Sequence, residues 1–431
     1  MSAPARPVAA YAAVTAAYWA FMLTDGALRM LVLLHFNALG FSPIQLAYLF
    51  LLYELAGVVT NLSAGWIAAR FGLTSTLYAG LGLQIAALAG LAALDPAWSV
   101  VASVAFVMAA QGVSGVAKDL AKMSSKSAVK ILAPAEQEGA LFRWVALLTG
   151  SKNAVKGFGF FLGAALLGAV GFEAALIGMA VGLALILAAI AAFMPAGLPK
   201  GKAKVKFREV LSKDRDINTL SAARMFLFGA RDVWFVVGIP IYFYSVLSDG
   251  TPESGRAAFF AIGTFMAVWI VGYGAVQASA PRLLSARGRS VGEIAGMAAR
   301  WAGLLALIPA ALAAAAFAAG GPADWLTATL VAGLLLFGAV FALNSALHSY
   351  LILAFTSAER VTMDVGFYYM ANAAGRLAGT LLSGLSFQLG GLPLCLATAA
   401  LMAGASFLLA RRLDRTRDGR KIEIAEASDD G

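Results

Sequence analysis

Charge is what this sequence has least of. Asp, Glu, Lys and Arg make up only 13% of its 431 residues, against about 25% in a soluble chain. Hydrophobic residues reach 61% and the mean hydropathy is +0.82, so the chain must use lipid as a solvent. Cysteine is nearly absent. Cys395 alone excludes an internal disulfide and any cysteine-based metal cluster. Two histidines, His35 and His348, leave little for a metal site, and nothing calls for a cofactor. Catalytic signatures are missing too: there is no G-x-S-x-G, no H-E-x-x-H and no P-loop. Gly112-Val113-Ser114-Gly115 is one residue short of the first and lies within a helical run, so an enzyme has no footing here. A leader with a short apolar core and a small-residue cut site is also lacking, so the first helix is expected to stay.

What is present is a series of apolar runs. Twelve stretches long enough to cross a bilayer fall at roughly 10–37, 43–69, 74–94, 98–120, 139–168, 172–194, 217–246, 257–281, 294–318, 325–354, 361–388 and 391–411. The expected organisation is a six-helix bundle over 1–194, a basic linker over 195–216, a second six-helix bundle over 217–412 and a tail over 413–431. The linker carries Lys200, Lys202, Lys204, Lys206, Arg208, Lys213 and Arg215. Basic residues also gather at Arg6, Arg70, Arg282, Arg287, Arg289, Arg360 and the stretch after Arg411, whereas the alternate joints carry Asp95, Glu173, Asp249, Glu253, Arg256 and Asp324. This bias places both termini and the linker in the cytoplasm, in a cell inner membrane. It also makes nucleic acid an improbable partner despite a net charge of +9. The last residues, EIAEASDDG, read as a disordered acidic end.

The chain's charges concentrate between Lys118 and Lys156. Lys118, Lys122, Lys126 and Lys130 recur every four residues and form one stripe on a helix. Arg143, Lys152 and Lys156 follow inside an apolar run, where a cation is costly without a role or a partner. Arg143 lies near enough to the inner surface to snorkel. Asp25 and Arg29 lie four apart in the first helix, as an internal ion pair or as substrate or proton groups. Glu54 in the second either carries a proton or pairs with Arg29 next door. Arg224 and Arg231 share a face of the seventh helix, with Asp232 beside the latter; Asn344 and His348 lie four apart in the tenth. In the eleventh, Asp364, Tyr368, Asn372 and Arg376 form a polar stripe that faces a cavity or a partner helix rather than lipid. Lys152, Lys156 and Arg376 have no carboxylate partner within their own helices. Such cations suit an anionic ligand, Arg offering phosphate-like groups a two-point fork.

Six plus six helices, a long middle linker and internal termini resemble the major facilitator superfamily. Gly65-Trp66-Ile67-Ala68-Ala69-Arg70-Phe71-Gly72 is similar to its G-x-x-x-D-R-x-G loop at Gly65, Arg70 and Gly72, but Ala69 replaces the acidic residue and no basic residue follows. Gly150, Gly159 and Gly163 match the glycine spacing of its antiporter signature, with Ala164 where that has proline; small residues at such spacing also simply let helices approach. The resemblance implies an all-α bundle working by alternating access as a single chain, with the first, fourth, seventh and tenth helices lining a central path.

The segments YWAFMLTDGALRMLVLLHFNALGFSP (18–43), FLLYELAGVVTNLSAGW (50–66), QGVSGVAKDLAKMSSKSAVK (111–130) and LFRWVALLTGSKNAVKGFGFFLGA (141–164) resemble the organoarsenical efflux permeases, the ArsJ family. That resemblance implies export of 1-arseno-3-phosphoglycerate, an ester with an arsenate at one end and a phosphate at the other. It also implies dependence on a glyceraldehyde-3-phosphate dehydrogenase that takes arsenate in place of phosphate. A single cysteine fits pentavalent rather than thiol-seeking trivalent arsenic. The expected ligand-holding set is Arg29, Lys152, Asn153, Lys156, Arg231, Tyr368, Asn372 and Arg376. Lys118, Lys122, Arg143 and Arg224 would gather anions at the mouth, or contact anionic lipid heads; Asp25, Glu54 and Asp364 are the proton-coupling candidates. A carrier of another organic phosphate or acid fits the fold and cations equally. A proton-coupled drug exporter fits the carboxylates but not the surplus of cations.

Overall fold

The computed structural model describes residues 5–71, 73–132, 140–193, 212, 214–284, 289–356 and 361–413; within its helices, the side chains at 5–12, 64–66, 68–71, 73, 126–132, 140–150, 153 and 361–363 are outside the description. Gly72, almost all of the linker and the tail from 414 onward therefore lie outside it, as do the side chains of Arg70, Lys126, Lys130, Arg143 and Asn153.

The described residues are helices joined by short turns, with no strand among them. They are α1 (Ala5–Ala38), α2 (Pro43–Leu49 continuing as Leu51–Phe71), α3 (Leu73–Ala92), α4 (Val100–Leu132), α5 (Ala140–Val170), α6 (Phe172–Phe193), α7 (Arg215–Leu247), α8 (Pro252–Leu283), α9 (Val291–Ala319), α10 (Asp324–Phe355), α11 (361–389) and α12 (392–410). Each coincides with one expected apolar run. Among the described residues, ten helices are long and apolar enough to cross a membrane by length and composition. One of these, Asp364–Ala410, is α11 and α12 joined across Gly390 and Gly391, and the described apolar part of α5, Ala154–Val170, is shorter.

Local chemistry sets the ends. Ser42 and Gln45 form a reciprocal cap before α2, as do Ser290 and Glu293 before α9, each satisfying amides that the first turn leaves open. Asp214 caps α7 by accepting from the amides of Asp216 and Ile217. Asp249, in the α7–α8 turn, accepts from the Ser254 hydroxyl and from Thr251 N at 2.9 Å and Thr251 Oγ1 at 2.7 Å. Those bonds, the Ser254 bond first, pull its carboxyl down to about 2. Gly391, at φ 60°, turns the chain from α11 into α12 in the left-handed region that a side chain resists.

Helix α7 is not uniform. It contains a π-helical turn over Trp234–Gly238, directly after Arg231 and Asp232. A π-turn disturbs the regular backbone ladder. Here the Ser383 hydroxyl of α11 accepts from the Val237 amide at 3.1 Å and the Gly238 amide at 3.2 Å.

Helices approach closely where glycine permits. A Cβ on Gly159 (α5) would lie 2.5 Å from the Leu23 carbonyl of α1, and one on Gly26 would lie 2.6 Å from the Lys156 carbonyl. Gly163 meets the backbone of Ala27 in the same seam. These glycines thus serve helix packing, the plainer reading of their spacing. Gly375 and Gly379 of α11 do the same against Met225 and Gly229 of α7. The two sets of six helices meet along two seams. In one, α2 runs antiparallel to α11, with Gly57 facing Ala373 and the Ile44 amide donating to Gln388 Oε1 at 3.2 Å. In the other, α5 runs against α8, Gly157 facing Ala267 and Gly263 facing Ala164. A buried cluster joins Met30, Leu34 and Phe160 of the first set to Trp234, Trp269 and Phe341 of the second.

Gly159→Ala should destabilise the chain by about 1–3 kcal/mol through overpacking. Gly178→Ala, where nothing lies within 4 Å of the added carbon, should not. Thermal unfolding in detergent compares them; equal melting temperatures would remove the close approach of α1 and α5 as a constraint.

Candidate functional site

The polar residues of α1, α2, α5, α7 and α11 meet in the middle of the bundle. Arg29 Nη1 donates to Glu54 Oε1 at 3.0 Å, so Arg29 reaches the neighbouring helix rather than Asp25 in its own. Arg376, from the other half, places Nη2 2.7 Å from Glu54 Oε1 and 2.6 Å from Oε2. Its Nε lies 3.7 Å from Asp232 Oδ2, and Asp232 is gripped by Arg231 at 2.5–2.6 Å. A second centre adjoins the first. Asp25 accepts from Lys156 Nζ at 2.7 Å and from the Tyr53 hydroxyl at 2.5 Å. Four cations, Arg29, Lys156, Arg231 and Arg376, thus meet three carboxylates, Asp25, Glu54 and Asp232, and one positive charge is left over. The carboxylate side chains are 1–2% exposed, whereas Arg376 keeps 23%, Lys156 19% and Arg29 12%. The cations are the groups with access to an incoming ligand.

On the side of the cluster away from the termini, the described residues leave only a narrow gap. Met30, Leu33, Phe160, Phe235, Val236 and Met266 line a slot of about 180 Å³, with Arg29 at its edge, too narrow to hold a water molecule.

Toward the termini, Lys118 and Lys122 lie one turn apart on α4. Lys122 donates to Asn61 Oδ1 at 2.9 Å and lies 3.6 Å from Asp119, which accepts from the Thr60 hydroxyl. Lys118 is buried, its Nζ 3.9 Å from the centre of the Tyr53 ring. Arg224 is buried as well, at 4% exposure, and donates to the Ser345 carbonyl at 3.0 Å and hydroxyl at 3.1 Å. Its guanidinium lies 4.1 Å from the Phe228 ring centre and 5.0 Å from that of Tyr368. Arg231 lies 5.0 Å from the same Phe228 ring, so the two arginines share a face. Lys118 and Arg224, read from sequence as mouth residues, are instead held inside by aromatic rings. Neither has a carboxylate within ion-pair distance among the described residues.

Of the remaining expected residues, Lys152 is half-buried one turn before Lys156, and Asn372 is half-buried one turn before Arg376. Tyr368 is fully buried. Asp364 accepts from Thr356 Oγ1 at 2.7 Å, away from the central cluster. Along the α11 stripe, Arg376 reaches α2 and α7 and Tyr368 meets Arg224 of α7, whereas Asp364 turns to the end of α10. Two residues outside the expected ligand set belong beside it. Asn344 and His348 of α10 are fully buried, and their side-chain nitrogens and oxygen have no hydrogen-bond partner among the described residues. They flank Ser345, the acceptor of Arg224. A polar pair four apart in an otherwise apolar helix was the signal that could have found them. His35, by contrast, stacks on Phe172 at 4.0 Å as a packing residue. Among the described residues no cluster suited to a metal ion occurs.

Asp25→Asn should leave Lys156 without its charge partner and cost about 1–3 kcal/mol, less than a fully buried pair because Lys156 keeps some exposure. Lys156→Met in the same chain should recover part of the loss. Strictly additive losses in thermal unfolding would show that the pair contributes no coupling.

No family model matches the chain, and no curated protein matches it. Solved structures do. A variant of the nucleoside transporter NupG superposes with a TM-score of 0.68 at 17% identity, over 94% of this chain and 98% of that one. NupG itself gives 0.67 at 17%, with the same coverage. A structure from a study of substrate recognition in proton dependent oligopeptide transporters gives 0.66 at 14%, over 94% of this chain and 97% of that one. Twelve helices in two sets of six, superposing over nearly full length on such proteins, give this chain the major facilitator fold.

Proposed function

We propose that the chain is a multi-pass membrane transporter of an organic anion. The observation that carries this reading is the convergence of Arg29 and Arg376, one from each half, on the single carboxylate of Glu54. Glu54 holds the place that an anionic group of the cargo takes in turn. Each arginine offers oxyanions a planar fork, and both retain exposure while the carboxylates do not. Lys152 and Lys156 extend the cationic surface in the first half and Arg231 in the second; Asn153, Tyr368 and Asn372 would supply neutral hydrogen bonds. A cargo anionic at both ends spans the two.

In the mechanism, cargo enters from the termini side, past Lys122 and Arg143, with Lys118 and Arg224 held deeper inside. It displaces Glu54 from the arginines, and the halves rock about the α2–α11 and α5–α8 seams to open the far side. The positive-inside bias supports cytoplasmic termini and therefore export. Resemblance to the organoarsenical permeases supports 1-arseno-3-phosphoglycerate as cargo, which would confer arsenate resistance. A product made inside needs no more than a downhill path. Proton antiport would run through Asp25, Glu54 or Asp364.

Inside-out vesicles containing the chain should accumulate arsenic when given arsenate with glyceraldehyde-3-phosphate, its dehydrogenase and NAD. Uptake from arsenate alone would make the cargo an inorganic oxyanion. No uptake by correctly inserted protein would discard the arsenical cargo and move the search to other organic phosphates. Arg376→Gln or Lys152→Gln should cut transport by about tenfold or more while leaving membrane insertion intact; normal transport in both would sink the site.

A further inference from the structure

The outer face of α9 carries an arginine where lipid should be. Arg300 is the tenth residue of Val291–Ala319, about 14 Å along the axis from the start of the helix. It is exposed in line with Leu304 and Leu307, themselves 46% and 65% exposed, at the four- and seven-residue spacing of one helix face. A cation in such a row is costly in hydrocarbon unless it reaches the interface or meets an anion. Its side chain takes the first course. Arg300 Nε donates to the Gly296 carbonyl, one turn back, at 3.4 Å, so it runs toward the termini side, as a snorkelling side chain does.

There it meets Arg289, just ahead of the helix cap. The two arginines, with Met297, Trp301 and Leu304, line a shallow, open hollow of about 350 Å³. The lining is mixed, two arginines with apolar side chains and an indole of the kind that settles at membrane interfaces. The first-turn amides of α9 add positive potential.

We propose that this hollow seats the headgroup of an anionic phospholipid. The arginines hold the phosphate through charge-assisted bonds, and Met297 and Leu304 cover the start of an acyl chain. A soluble phosphate would use only the arginines and leave the apolar side chains bare, so the lipid is the better occupant. The site lies on the opposite face of α9 from its buried residues Ala298, Ala302 and Leu305, and the proposal does not depend on what the chain transports.

The test uses the full-length chain and two variants, Arg300→Gln and Arg289→Gln/Arg300→Gln. Both change exposed side chains, and circular dichroism checks that they fold. Native mass spectrometry from detergent supplemented with phosphatidylglycerol or phosphatidylcholine reads retained lipid. The wild-type chain should keep phosphatidylglycerol in preference to phosphatidylcholine, and the double variant should bind it about tenfold or more weakly. Equal retention by wild type and double variant overturns the site. Thermal stabilisation by inorganic phosphate matching that by phosphatidylglycerol, and lost in the double variant, overturns the lipid and leaves a free-anion site.

Discussion

The carboxylate of Glu54 is shared between two arginines that belong to different halves of the bundle. Everything central to the molecule depends on this sharing. A carboxylate at 1% exposure cannot remain charged in an apolar interior without close cations, and Arg29 and Arg376 supply them across 25 and 322 residues of chain. The arrangement ties α1, α2 and α11 together, and Asp232 extends it to α7. It also exposes the cations more than the carboxylates, which gives the cluster its bias toward anions.

Glycine sets the distances at which this pairing is possible. Gly26, Gly159 and Gly163 bring α1 and α5 into backbone contact, which carries Lys156 to Asp25. Gly229, Gly375 and Gly379 do the same for α7 and α11, which carries Arg376 to Asp232. The halves repeat the same packing device and fill it with different charges. Close approach without a hydrophobic driving force is the usual logic of helices in lipid, and here it doubles as a means of positioning ions.

The sequence was most legible where the physics is local. Runs of some twenty apolar residues read as helices long and apolar enough to cross a membrane, and the structure ends them at caps and glycines such as Ser290 and Gly391. The eleventh helix's stripe was readable for the same reason, since one face of one helix suffices. Ion pairing was less so. Asp25 and Arg29, four apart, invite each other in sequence, yet Asp25 takes Lys156 and Tyr53 while Arg29 takes Glu54. Partners 131 residues away have no signature in spacing. Burial misled in the same way for Lys118 and Arg224. Their positions near helix ends suggested the mouth, but tyrosine faces from neighbouring helices, with Phe228 one turn on from Arg224, hold them inside.

The shared carboxylate has a consequence for how the chain is made. Ribosomes deliver the first half before the second, so Glu54 and Arg29 enter the membrane as a balanced pair with the acid's other oxygen still open. Asp232 then arrives next to Arg231. Arg376 comes almost last, and as a lone cation it would resist insertion. By then two acids already wait at its final depth. In that order of synthesis the late helix would meet carboxylates laid down earlier in the chain, and the four-way charge arrangement would be complete only once the C-terminal half had been threaded.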